Sequence, residues 1–119
     1  MKVEKNSASE IKIAYIGGGS RGWAWNLMSD LAQEKSLSGE VCLYDIDLEA
    51  AKANEIIGNK IREVHKDADN WHYTTAPTLC EALTGANFII ISILPGTFDE
   101  MRSDVHAPEE FGIYQSVGD

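Results

Sequence analysis

Gly17, Gly19 and Gly22 stand in the spacing G-x-G-x-x-G. Where that spacing joins a buried strand to a helix, the backbone can turn tightly and approach a diphosphate. The helix amino-terminus then stabilises the charge. Asp45 follows 23 positions after Gly22, at the end of the next apolar run. A carboxylate there accepts hydrogen bonds from a ribose diol and repels the extra phosphate of NADP, so NAD is favoured. A plainer reading makes the glycines a structural turn and Asp45 the cap of the next helix. Context favours the cofactor: a strand before the glycines, a helix after them, and the acid at the end of the second strand. Arg21, inside the loop, either neutralises a diphosphate oxygen or is a solvated surface residue. Ser92 and Pro95 mark the carboxyl end of a later strand, where ligands lie in open α/β sheets. Ser92 is either a neighbour of the nicotinamide-side ribose or a small core residue.

Other chemistry is hard to find. His65, His72 and His106 show no ligand spacing with each other or with Cys42 and Cys80, so no metal site is expected within the chain. Both cysteines are expected to be reduced core residues. Trp23 and Trp25 are expected to pack beside the glycine loop. No nucleophile elbow, Walker loop or zinc motif occurs.

The elements that must position these residues alternate. Residues 11–16 read as a buried strand stopped by glycines, and 22–33 as a helix capped by Ser20, with Trp23, Leu27, Met28 and Leu31 facing inward. Residues 37–39 read as a turn and 41–44 as the second strand. A long helix over 48–64 carries the stripe Ala50, Ala53, Ile57, Ile61 and Val64. Residues 71–74 make a third strand, and Pro77 opens a short helix that runs to Leu83 and is ended by Gly85. The fourth strand, 88–94, is almost continuously apolar, as a strand buried on both faces should be. Pro95-Gly96 breaks it; residues 99–105 read as helical and 109–118 as irregular. The expected fold is α/β: a Rossmann-like parallel sheet of strand order 3-2-1-4, an incomplete doubly wound domain over residues 11–119. Residues 1–10 read as a polar leader, frayed or partly ordered.

Composition narrows the function. The 10 Lys and Arg against 19 Asp and Glu give a net charge of −9, which repels phosphate backbones, so no nucleic-acid partner is expected. No apolar stretch approaches the ~20 residues of a membrane helix, and residues 1–10 lack an apolar signal region. With reduced cysteines, a cytoplasmic protein without a membrane partner is expected.

The stretches KIAYIGGGSRG (12–22), LYDID (43–47), SILPG (92–96) and MRSD (101–104), with Pro108, Gly112 and Gln115, resemble glycoside hydrolase family 4. GGGSRGW, LYDIDLEAAKANE and EEFGIYQSVGD are most similar to its α-galacturonidase branch. The resemblance implies an NAD-dependent glycosidase acting on a small-molecule sugar. It also implies that bound NAD oxidises the 3-hydroxyl, a base removes the acidified neighbouring proton, the glycosidic bond is eliminated, water adds and the hydride returns. This is an exception to the paired-carboxylate scheme. A divalent metal, usually manganese, polarises the hydroxyl and carbonyl. By the same resemblance Gly17, Gly19, Ser20, Gly22 and Asp45 belong to the cofactor site. Arg102 matches an arginine that reaches substrate phosphate, or here a carboxylate. Asp119 matches an acid supporting the base, although this chain reads Ser-Val-Gly-Asp where related sequences read Gly-Gln-Glu. The family's metal-binding Cys and His and its tyrosine base lie downstream, so the chain reads as the amino-terminal part of a larger enzyme, inactive alone and a homo-oligomer. Two alternatives stay open: part of an NAD-dependent dehydrogenase, and a non-catalytic NAD-sensing domain. A missing second half should leave the fourth strand uncovered.

Overall fold

The computed structural model describes residues 1–64 and 70–116. Strands β2 (Ser7–Ile16), β3 (Leu37–Tyr44), β4 (Trp71–Thr75) and β5 (Phe88–Ile91) all run parallel. β3 pairs with β2 on one side and β4 on the other, and β5 pairs with the free side of β2 from Ile13↔Phe88 to Ile16↔Ile91. The parallel order is therefore β4-β3-β2-β5, the expected 3-2-1-4. Helices α1 (Trp23–Gln33) and α2 (Leu48–Val64) connect the first three strands, and α3 (Leu79–Leu83) leads into β5.

The strands split their side chains between two faces. Ile11, Ile13, Tyr15, Val41, Leu43, Trp71 and Tyr73 meet Ala24, Met28 and Leu31 of α1 and Ala51 of α2 in the main core. The opposite face has a smaller cluster, Cys42 and Ala76 against Ala82 of α3, flanked by Ile16 and Tyr44. That second face is thinly covered because α3 spans only five residues.

Several expectations need correction. Residues 1–10 are not frayed: β1 (Lys2–Glu4) pairs antiparallel with Ser7–Ser9, and Lys2 bonds the Glu10 carboxylate. Residues 37–39 are strand and not turn. The register shifts between Ala8 and Ile11, where Glu10 has φ 54°, and a Cβ on Gly39 would lie 1.9 Å from the Ile11 carbonyl oxygen. Glycine is needed there because a bulge brings two backbones together. On α1 the inward face is Ala24, Met28 and Leu31, while Trp23 is 73% exposed. On α2 the inward face is Ala51, Asn54 and Gly58, with Ala53 and Ile57 turned outward. A Cβ on Gly58 would lie 2.5 Å from the Tyr73 ring, so the helix lies too close to the sheet for an isoleucine on that face.

β5 ends at Ile91 and is an edge strand, with Phe88, Ile89 and Ile91 all exposed, so it is not buried on both faces. Cys42 is buried, but Cys80 is exposed on α3; both are free. Helix α4 (Phe98–His106) is capped by Thr97, whose hydroxyl accepts from the Asp99 N–H and whose own N–H donates to Glu100 at 2.7 Å. A 3₁₀ turn over Ala107–Phe111 follows and ends at Gly112, φ 75°, within the segment expected to be irregular.

Candidate functional site

At the end of β2 the chain turns through Gly17, with φ 91°. Three consecutive glycines are forced by their surroundings. A Cβ on Gly17 would sit 1.9 Å from the Ser92 carbonyl oxygen, one on Gly18 2.8 Å from Leu43 Cβ, and one on Gly19 2.7 Å from Ala50 Cβ. Gly22 differs, since nothing lies within 4 Å of its missing Cβ. The first two glycines of the spacing serve the turn, and the third leaves open space where α1 begins.

The loop is tied down on several sides. The Gly17 and Gly18 N–H groups both donate to the Tyr44 carbonyl at 2.9 Å, and Ser20 N–H donates to Gly17 at 3.1 Å. Gly19 N–H donates to Asp45 Oδ2 at 2.9 Å, and Asp45 Oδ1 accepts from Asp47 N–H at 2.9 Å. Asp45 is therefore not the cap of α2. That role falls to Asp47, whose Oδ1 accepts from Ala50 N–H at 3.1 Å. Each Asp45 oxygen keeps a further lone pair for a ligand hydroxyl.

Ser20 Oγ accepts from Trp23 N–H at 3.3 Å, so it supports the first turn of α1 although Gly22 is the N-cap. Among the described residues the Arg21 and Gly22 N–H groups have no partner. They are orphan donors at a helix start, the arrangement that receives anions.

A cleft of about 1080 Å³ opens above the carboxyl ends of β2, β3 and β5. Gly17, Gly19 and Ser20 form its floor, Asp45, Ile46 and Asp47 one wall, and half-buried Ser92 with exposed Pro95 the other. Ile46 is 96% exposed and offers an apolar surface beside Asp45. Arg21 is exposed and not part of the wall; Arg102, on the outer surface of α4, is likewise apart from the cleft. Asp119 and His65 lie outside the described residues. His106 pairs with Glu109 at 2.7 Å, and no three His, Cys, Asp or Glu side chains form a metal site among the described residues.

Asn54 escaped the sequence reading, and Trp25, expected only to pack beside the loop, makes a hydrogen bond to Asn54. Asn54 Nδ2 donates to the carbonyls of Gly18 at 2.7 Å and Ser20 at 2.9 Å, and its Oδ1 accepts from Trp25 Nε1 at 2.8 Å. The only signal in the sequence was a polar residue in phase with Ala51 and Gly58, and the expected stripe ran one residue out of phase.

A parallel sheet in this order, with a glycine turn facing an acid at the next strand end, defines a Rossmann-type fold. Residues 12–119 match the family model described as Family 4 glycosyl hydrolase, and the chain belongs to that family. The α-galacturonidase of Thermoanaerobacter italicus is 66% identical over 119 residues, which is 100% of this chain and 25% of the relative. A solved Bacillus subtilis protein, provisionally named a glucosidase, is 55% identical with a TM-score of 0.74, over 92% of this chain and 24% of that one. The 6-phospho-β-glucosidase of Thermotoga maritima, solved with NAD and glucose 6-phosphate, is 25% identical with a TM-score of 0.66, over 88% and 24%. The chain thus spans about a quarter of the length of the curated relatives it matches. No described helix is long and apolar enough to cross a membrane.

Proposed function

We propose that this chain is the NAD-binding part of a glycoside hydrolase acting on α-galacturonides or related glycosides. One observation carries the nucleotide reading: the Asp45 carboxylate stands in the wall of the cleft that Gly17, Gly19 and Ser20 floor, and the unpartnered Arg21 and Gly22 N–H groups follow directly after that floor, at the start of α1. The amides suit a diphosphate, and the carboxylate suits a ribose diol. Ile46 supplies an apolar face for the base, and Ser92 and Pro95 flank the opposite, nicotinamide end. NAD bound there supplies a hydride acceptor for a sugar hydroxyl, the opening step of oxidation, elimination, addition and reduction. The residues of this chain bind and orient the dinucleotide. Family membership favours the glycosidase over a dehydrogenase or a nucleotide sensor. The described residues offer no ligand set for manganese, so no step is assigned to a metal within this chain. Arg102 and Asp119 are proposed to act on sugar only where further polypeptide completes the site.

Calorimetric titration of NAD and NADP into the chain and into Asp45→Ala tests the reading. NAD is expected to bind better than NADP, and the variant to lose about tenfold in NAD affinity, the scale of a charge-assisted hydrogen bond. Binding of neither nucleotide by the unsubstituted chain would overturn it.

A further inference from the structure

Asn54 is a buried polar side chain on α2, only 2% exposed. Its three hydrogen bonds leave its amide one orientation. Both Nδ2 hydrogens reach the glycine loop, and the indole N–H of Trp25 holds the oxygen. A flipped amide would turn its oxygen toward two carbonyls and its donors toward another donor. Burying an amide is unfavourable unless it is fully bonded, so a site needing only volume is better filled by an apolar side chain. The two carbonyls that Asn54 holds, Gly18 and Ser20, flank Gly19, whose N–H Asp45 holds from the other side. The Gly18–Gly19 peptide is thus held at its carbonyl by α2 and at its N–H by the end of β3, and the Ser20–Arg21 peptide at its carbonyl by α2. Carbonyls drawn toward α2 cannot present their negative ends to an anion, while the Arg21 and Gly22 N–H groups stay free for it.

We infer that Asn54, oriented by Trp25, is the positioning residue that sets the glycine loop for a diphosphate; the diphosphate part of this rests on the nucleotide reading above. The test compares the 119-residue chain with Asn54→Asp and Trp25→Phe. Aspartate has the same shape and keeps the acceptor for Trp25, but at neutral pH it removes both donors. Amide hydrogen exchange, without ligand, is expected to quicken at Gly19 and Ser20 in Asn54→Asp by about tenfold, the value of one hydrogen bond. The β3 amides should stay within about twofold. NAD affinity is expected to fall by about tenfold and adenosine affinity by less than about twofold, because adenosine carries no diphosphate. Trp25→Phe keeps both loop donors and frees the oxygen, so a smaller quickening of the same amides is expected. It decides the matter if Asn54→Asp does not fold. Unchanged loop exchange in the folded variants, or equal losses of NAD and adenosine, would overturn the inference. A chain that binds no NAD yet shows the faster loop exchange would sink the nucleotide reading and leave the hold of Asn54 on the loop intact.

Discussion

Gly17 and Gly22 belong to one motif but obey different constraints, and alanine separates them. At Gly17 an alanine meets both the positive φ and the Ser92 carbonyl, so Gly17→Ala is expected to destabilise the fold by about 3 kcal/mol or more. At Gly22, with φ −92° and open space, stability should change by no more than about 0.5 kcal/mol. Urea midpoints check both. A Gly22→Ala chain of normal stability but weakened NAD binding would place the ligand in that open space. Tyr73 gives a second residue-scale test, since burial pushes its phenol up to about 12. A pKa raised in the folded state keeps the neutral phenol's stabilising contribution below pH ~10, and that contribution is lost between there and about 12. Stability measured across that window should fall less steeply in Tyr73→Phe; identical slopes would mean that the phenol does not drive the loss.

Among the α-helices, α4 is the one held least by packing, because none of its residues is buried. Its order comes from its cap, where Thr97 and Glu100 satisfy each other's end of the first turn. Hydrogen bonds from the Thr97 hydroxyl and backbone hold the Glu100 carboxyl below its usual range. A lowered carboxyl stabilises above its ordinary value and loses that contribution as pH falls through the folded value, so α4 should fray in acid. Thr97→Ala is expected to weaken the helix by about 1 kcal/mol, visible as faster amide exchange over 101–106 with β2 and β3 unaffected. Equal protection in both chains would show that packing holds α4. The opposite case is α2, whose rotation is set by contact with the sheet, so its large Ile56 and Ile57 face outward.

The whole molecule is extended for its length. Its Cα radius of gyration is 17.1 Å, against about 13.5 Å for a compact chain of this size. The excess comes with exposed apolar groups along β5 and beyond it: Ile91 at 68%, then Ile93, Leu94, Phe98, Phe111 and Tyr114. An open strand edge beside such a surface invites pairing with another chain. The net charge of −9 opposes that pairing at long range, and salt screens it. Sedimentation should therefore show association that grows with concentration and with salt, and Ile89→Lys with Ile91→Lys should suppress it without lowering the melting temperature. A monomer of the unsubstituted chain at all concentrations would count against this.

Much of this could be read along the chain, because strand and helix periods and the glycine-acid spacing are properties of contiguous residues. The parallel order followed from them through right-handed crossovers, and Asp45 did meet the glycine turn. What the sequence left open was phase, edge and partner. Helical period alone does not say which small residues of α2 face the sheet until Gly58 meets Tyr73. An apolar strand looks the same whether it is central or, like β5, left at an edge. The polar start looked frayed because its ladder bonds depend on pairing with β2. Asn54 lies 36 positions from Gly18, and its part in the loop exists only once α1, α2 and the end of β2 are packed together.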